Sequence, residues 1–92
     1  MNEKTFELGE RRRVTLEVWL SNGQSFQPLD VSWSLRYLQQ EEASGSCDVV
    51  QDGGKWQLTA EVEPQKRARY RLQFSFGMGT EIVKRSVFIN VV

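Results

Sequence analysis

Apolar and polar residues alternate along most of this chain with a period of two. In "VTLEVWL", Val14, Leu16, Val18 and Leu20 share one parity, and Thr15, Glu17 and Trp19 the other. "LDVSWSLRY" sets Leu29, Val31, Trp33, Leu35 and Tyr37 against Asp30, Ser32, Ser34 and Arg36. "KWQLTAEV" sets Trp56, Leu58, Ala60 and Val62 against Gln57, Thr59 and Glu61. Successive side chains of a strand point to opposite faces, whereas a helical face needs a 3.6-residue period, so each segment predicts a strand with one buried side. "RARYRLQFSF" continues the pattern, with Ala68, Tyr70, Leu72, Phe74 and Phe76 inward and Arg67, Arg69 and Arg71 outward. In the final "IVKRSVFINVV", Val83, Val87, Ile89 and Val91 face inward, but Arg85 shares their parity. Either a bulge near Arg85 restores the phase, or its guanidinium reaches the edge of the fold.

Turn chemistry separates these runs. Asn22-Gly23 and the glycines of "QDGG" tolerate positive φ, "GMGTE" reads as the loop of a last hairpin, and Pro64 ends the strand before it. "CDVV" is a short strand. "LQQEEASGS" contains good helix formers in a run too short to hold a helix, so it predicts a loop with at most one helical turn. About seven strands result, at intervals of about 8–12 residues and with no crossover helix. The expected fold is an all-β antiparallel sandwich, in one domain covering residues 1–92.

"VSWSL" puts Trp33 mid-strand, which resembles the buried tryptophan on the third strand of the immunoglobulin-like sandwich family. "EPQKRARYRLQFSF" resembles the family's turn and penultimate strand, with a proline, a polar turn, a small residue and then Tyr70, and "VFINVV" resembles its last strand. The resemblance runs from about residue 5 to residue 92. It implies that the Tyr70 hydroxyl ties the preceding corner to the strand. The cysteine pair of antibody domains is missing, and Leu72 stands where the second cysteine would be. Disulfide-free sandwiches of this kind resemble accessory domains of phage virions and bacterial surface assemblies.

Charge and composition narrow the chemistry. Twelve basic and twelve acidic residues cancel, which disfavours a dedicated nucleic-acid binder, since phosphate neutralisation draws on a basic excess. There is no histidine, and Cys47 is alone, so histidine triads, histidine-ligated metals and internal disulfides are excluded. No glycine motif cradles phosphate. The chain reads as non-catalytic, with no cofactor and no small-molecule substrate. No signal-like or membrane-spanning apolar run is seen, so the expected location is the cytoplasm or an assembled particle.

Candidate contact residues come from the outward parity. Arg67, Arg69 and Arg71 offer a phosphate or carboxylate surface, or simply a solvated face that guards against mispairing. Matching the inward faces of the last hairpin places Phe88 outward, opposite Arg69 or Arg71, where a cation–aromatic contact forms without a ligand. Trp19, Ile82 and Phe88 are outward apolar residues, and with Arg69 and Arg71 they make the preferred protein-binding or self-association candidates. The alternatives are cover of these residues by the segment around Phe6 and Leu8, and polyanion binding by the arginine row. Arg11 to Arg13 beside Glu7 and Glu10 read as a solvated strand start with local charge pairs. Asp48 and Asp52 read as turn residues rather than a calcium loop.

Overall fold

The structure is a computed structural model, described here for residues 3–19 and 27–92. Leu20 and the Asn22-Gly23 turn lie outside the described residues. Eight strands follow in order: β1 (Glu3–Phe6), β2 (Arg12–Trp19), β3 (Leu29–Tyr37), β4 (Gln40–Ser46), β5 (Asp48–Asp52), β6 (Lys55–Val62), β7 (Arg69–Met78) and β8 (Glu81–Val91). They form two sheets, ordered β1-β8-β7-β3-β4 and β2-β6-β5. The inward residues of both sheets meet in one apolar core built around Leu35, Leu58, Tyr70, Leu72, Phe74 and Ile89. Burying each such side chain contributes about 1.5–3 kcal/mol before chain entropy is counted. The arrangement is sandwich-like and all-β.

The alternation of β2, β6 and β7 is realised as the sequence predicts: Val14, Leu16, Leu58, Ala60, Val62, Tyr70, Leu72, Phe74 and Phe76 are buried. Pro64 follows the end of β6, and Gly53, at φ 62°, sits in the β5–β6 turn.

Four expectations need correction. The five-stranded sheet is mixed rather than antiparallel, because β1 pairs parallel to β8, Glu3 opposite Phe88 and Phe6 opposite Val91. A parallel pair needs a long connection, and here the whole intervening chain supplies it in place of a crossover helix. The segment expected to loop, 38–46, is a two-residue turn at Leu38–Gln39 followed by strand β4. Its sequence hides this because β4 is a polar edge strand whose pairing with β3 is offset at Glu42, Leu35 facing Ala43 and Arg36 facing Glu41. Leu29 does not face the core: Asp30 takes φ 52°, the register slips by one residue between Leu29 and Ser32, and Leu29 ends opposite Gly77, 56% exposed. Trp33 is half-buried rather than enclosed, its indole lying over Gly45 of the edge strand β4.

Arg85 is settled by the β7–β8 register, which runs without a break from Arg69–Asn90 to Met78–Glu81. No bulge is present. Arg85 is exposed on the inward parity, lining a groove between β2 and the β7–β8 hairpin, and its Nη1 donates to the Lys84 carbonyl at 3.0 Å.

Candidate functional site

Directly opposed residues of neighbouring strands share a face, so the register maps the outer surface of the five-stranded sheet row by row. One row runs Phe88, Arg71, Arg36, Glu41. The next runs Ser86, Gln73, Ser34, Ser44, and a third runs Lys84, Ser75, Ser32, Ser46. The short hydroxyl side chains leave a shallow basin of about 410 Å³ on this face, with Arg36 and Lys84 on its margin.

Its charges are unevenly matched. Arg69 lies over the Phe88 ring, 4.6 Å from the guanidinium carbon to the centroid, and its Nη2 is 3.6 Å from a Glu3 carboxylate oxygen. Arg36 reaches Glu41 at a loose 3.8 Å. Arg71 sits directly across from Arg36, like charge against like charge, and has no ion pair among the described residues. Opposed like charges on a sheet are destabilising.

The sequence-derived candidates separate in space. Arg69, Arg71 and Phe88 come together as expected: Phe88 pairs with Arg71 in register, while the cation over its ring is the diagonal Arg69. Phe88 is only half-exposed. Arg67 precedes the strand, so the arginine row on β7 is two residues long. Ile82 shares the face but lies six strand positions from Phe88, roughly 20 Å away, 76% exposed at the hairpin tip opposite Gly77. Trp19 belongs to the other sheet, on its outer face, 69% exposed. Lys55 Nζ stands 5.2 Å from the Trp19 ring and 2.6 Å from Glu17, whose hydrogen bond and charge raise the ammonium's pKa against a desolvation that lowers it. Trp19, Ile82 and Phe88 therefore do not form one apolar patch.

Two further features border these faces. A groove of about 660 Å³ separates the end of β2 from the β7–β8 hairpin, lined by Leu16, Val18, Phe76, Met78 and Val83 with Arg85 at its rim. Phe6 enters the core, and Leu8 stays 40% exposed, so the N-terminal strand covers the edge of β8 rather than the outward aromatics.

The remaining charged motifs behave as surface pairs. Arg11 meets Glu61 at 3.2 Å, Arg13 meets Asp48 at 2.9 Å, and Arg12 packs over Phe6 at 4.6 Å while donating to the Thr5 carbonyl. Exposed pairs of this kind contribute about 0–1 kcal/mol each. The Cys47 thiol, half-buried between β4 and β5, is pushed up to about 11, first by burial and then by the neighbouring Asp48 charge. Such a thiol stays protonated at neutral pH and is a poor nucleophile. No group of three metal-ligating side chains occurs among the described residues, and no helix there is long and apolar enough to cross a membrane.

Sequence reasoning placed Arg71 and Arg36 outward but could not place them side by side. Face follows from parity, whereas adjacency requires knowing that β3 and β7 are neighbours. No family model matches the chain, and no curated protein matches it.

Proposed function

We propose that the chain is an immunoglobulin-like, non-catalytic binding module that receives an acidic segment of a protein partner on the outer face of its five-stranded sheet. The observation that carries this reading is the Arg36–Arg71 opposition beside the serine-lined basin: two guanidinium groups share one row, and the ion pair found for them among the described residues is the 3.8 Å contact of Arg36 with Glu41. A carboxylate delivered from outside would relieve their repulsion and accept bidentate hydrogen bonds. The absence of histidine from the sequence and the protonated state of Cys47 support binding without turnover.

The family part of the reading rests on three features taken together. The chain's first strand pairs parallel with its last, β3 carries Trp33, and the Tyr70 hydroxyl accepts a hydrogen bond from the Lys66 backbone N–H at 3.1 Å, tying the corner before β7 to the strand. An accessory place in a phage virion or bacterial surface assembly is the most concrete version, carried by resemblance alone.

A photo-reactive amino acid at Gln73, central to the face, should capture a discrete protein from native lysate, and adding Arg71→Glu should abolish the adduct. The same probe at Gln57, on the other sheet, should give none. Equal capture from both positions would refute the assignment of the face. The second reading, polyanion binding, draws on the same pair of arginines. It requires single-stranded DNA or heparin to bind at low salt, with affinity falling steeply as salt rises and lost in Arg69→Glu/Arg71→Glu. No binding at low salt ends it.

A further inference from the structure

The four edge strands of the two sheets are not equally guarded. β1 has only four residues, too short a template for a further strand. β4 carries the offset at Glu42, which breaks a regular ladder. β5 has Asp48 and Asp52 at its two ends, so an antiparallel copy centred on it would set aspartate against aspartate. β2 differs: eight residues in unbroken register with β6, and no strand on its other side among the described residues. Long regular edges are templates for a further strand.

β2 also matches itself. A second copy related by a two-fold axis perpendicular to the sheet at Thr15 pairs residues whose numbers sum to 30. The outer face then sets Arg13 against Glu17 twice and Thr15 against Thr15, and brings Arg11, just before the strand, opposite Trp19 twice. The inner parity sets Val14 against Leu16 twice and Arg12 against Val18 twice, the arginine already lying over its own Phe6 ring. Opposite charges meet at both symmetry-related positions, and each exposed Trp19 ring acquires a guanidinium neighbour. We infer that the partner of the β2 edge is a second copy of this chain, joined in antiparallel register about Thr15 into a continuous six-stranded sheet. The inference is independent of the proposed binding face, which lies on the other sheet and stays open in such a dimer. A pair of eight-residue strands buries less surface than a standard stable interface, so the dimer is weak and concentration-dependent.

Sedimentation velocity over a concentration series tests it. The weight-average mass should climb from 10.7 kDa toward twice that value as concentration rises. Glu17→Arg and Arg13→Glu should each hold the protein at monomer mass, because each sets like charges opposite one another across the axis. Mixing these two variants should restore association, since each then supplies what the other lacks, and the double swap Arg13→Glu/Glu17→Arg should associate by itself. Circular dichroism matching the wild type separates loss of association from loss of fold. A wild type that stays at 10.7 kDa at the highest concentration overturns the inference. So does association that ignores both single charge reversals, or variants that fail to rescue each other while folded.

Discussion

Removing one oxygen atom, by Tyr70→Phe, tests how the corner before β7 is held. The Tyr70 ring is fully buried, and its hydroxyl makes two hydrogen bonds: it accepts from the Lys66 N–H at 3.1 Å and donates to Glu42 Oε1 at 2.8 Å. The other Glu42 oxygen accepts from the Gln65 N–H at 3.2 Å, so one carboxylate on the edge strand β4 links to both sides of the corner. Phenylalanine keeps the ring and its 5.7 Å contact with Tyr37, so the packing loss is small. The neutral bond contributes about 0.5–1.5 kcal/mol and the charge-assisted one about 1.5–3 kcal/mol. Water reaches the half-exposed Glu42 once it is released, which lowers the second figure. The expected loss is about 2 kcal/mol in urea unfolding at neutral pH, with an unchanged m-value. Glu42→Gln should cost less, and the double variant should lose about 1 kcal/mol less than the sum of the singles, because both act on one link. A Tyr70→Phe loss below about 0.5 kcal/mol, or simple additivity, would show that the hydroxyl does not hold the corner.

The same hydroxyl gives a pH signature. Burial, then the Glu42 hydrogen bond, push its pKa up from 10.0 to about 12. Because the folded value is the higher, the stabilisation is complete below pH 10 and is lost as pH climbs toward 12. The gap in stability between wild type and Tyr70→Phe should therefore narrow across that window.

Other perturbations are simpler. Leu38 is 80% exposed at φ 55°, where a branched side chain is strained, so Leu38→Asn should raise stability by about 0.5–1 kcal/mol in the same urea assay. Gly45→Ala would bring a methyl group to 3.0 Å from the Trp33 indole nitrogen; a loss of about 1–2 kcal/mol is expected, and it should vanish in a Trp33→Phe background. Labelling of Cys47 by a disulfide reagent should be slow at neutral pH and keep accelerating up to about pH 11, whereas a rate that levels off near pH 9 would contradict the thiol's shift. Arg71→Gln should slightly stabilise the isolated protein while weakening capture through Gln73, the first read by urea unfolding and the second by adduct yield.

What the sequence reveals of this fold is the set of inward positions on β2, β6, β7 and most of β8, because a sheet with one wet face writes its burial directly into parity. It conceals β4, whose rim position leaves Glu42 and Gly45 in places where an interior strand would carry apolar residues. It misleads at Leu29, since a left-handed Asp30 flips the parity without any glycine to announce it. The contact between Tyr70 and Glu42 spans 28 residues, so no local pattern encodes it. The candidate site divides in the same way: Arg71 and Phe88 are legible as outward residues, whereas the opposition of Arg71 to Arg36 and the separation of Trp19 from Phe88 appear only once strand order is known.

Charge placement then distinguishes the two sheets. On the smaller sheet, Arg11, Arg13 and Lys55 each stand beside a carboxylate, so that face is neutralised locally. On the larger sheet, a chain with as many acidic as basic residues nevertheless sets Arg71 against Arg36, with Glu41 reaching Arg36 at 3.8 Å and serines and glutamine filling the neighbouring rows. Opposed like charges cost roughly 0.2–1 kcal/mol in the isolated protein. Replacing Gln73 or Ser34 by an acidic residue should therefore raise the stability of the isolated protein by a similar amount in urea unfolding. On the proposed reading, a carboxylate arrives with a partner, and the same repulsion becomes a driving force for association that is relieved on binding.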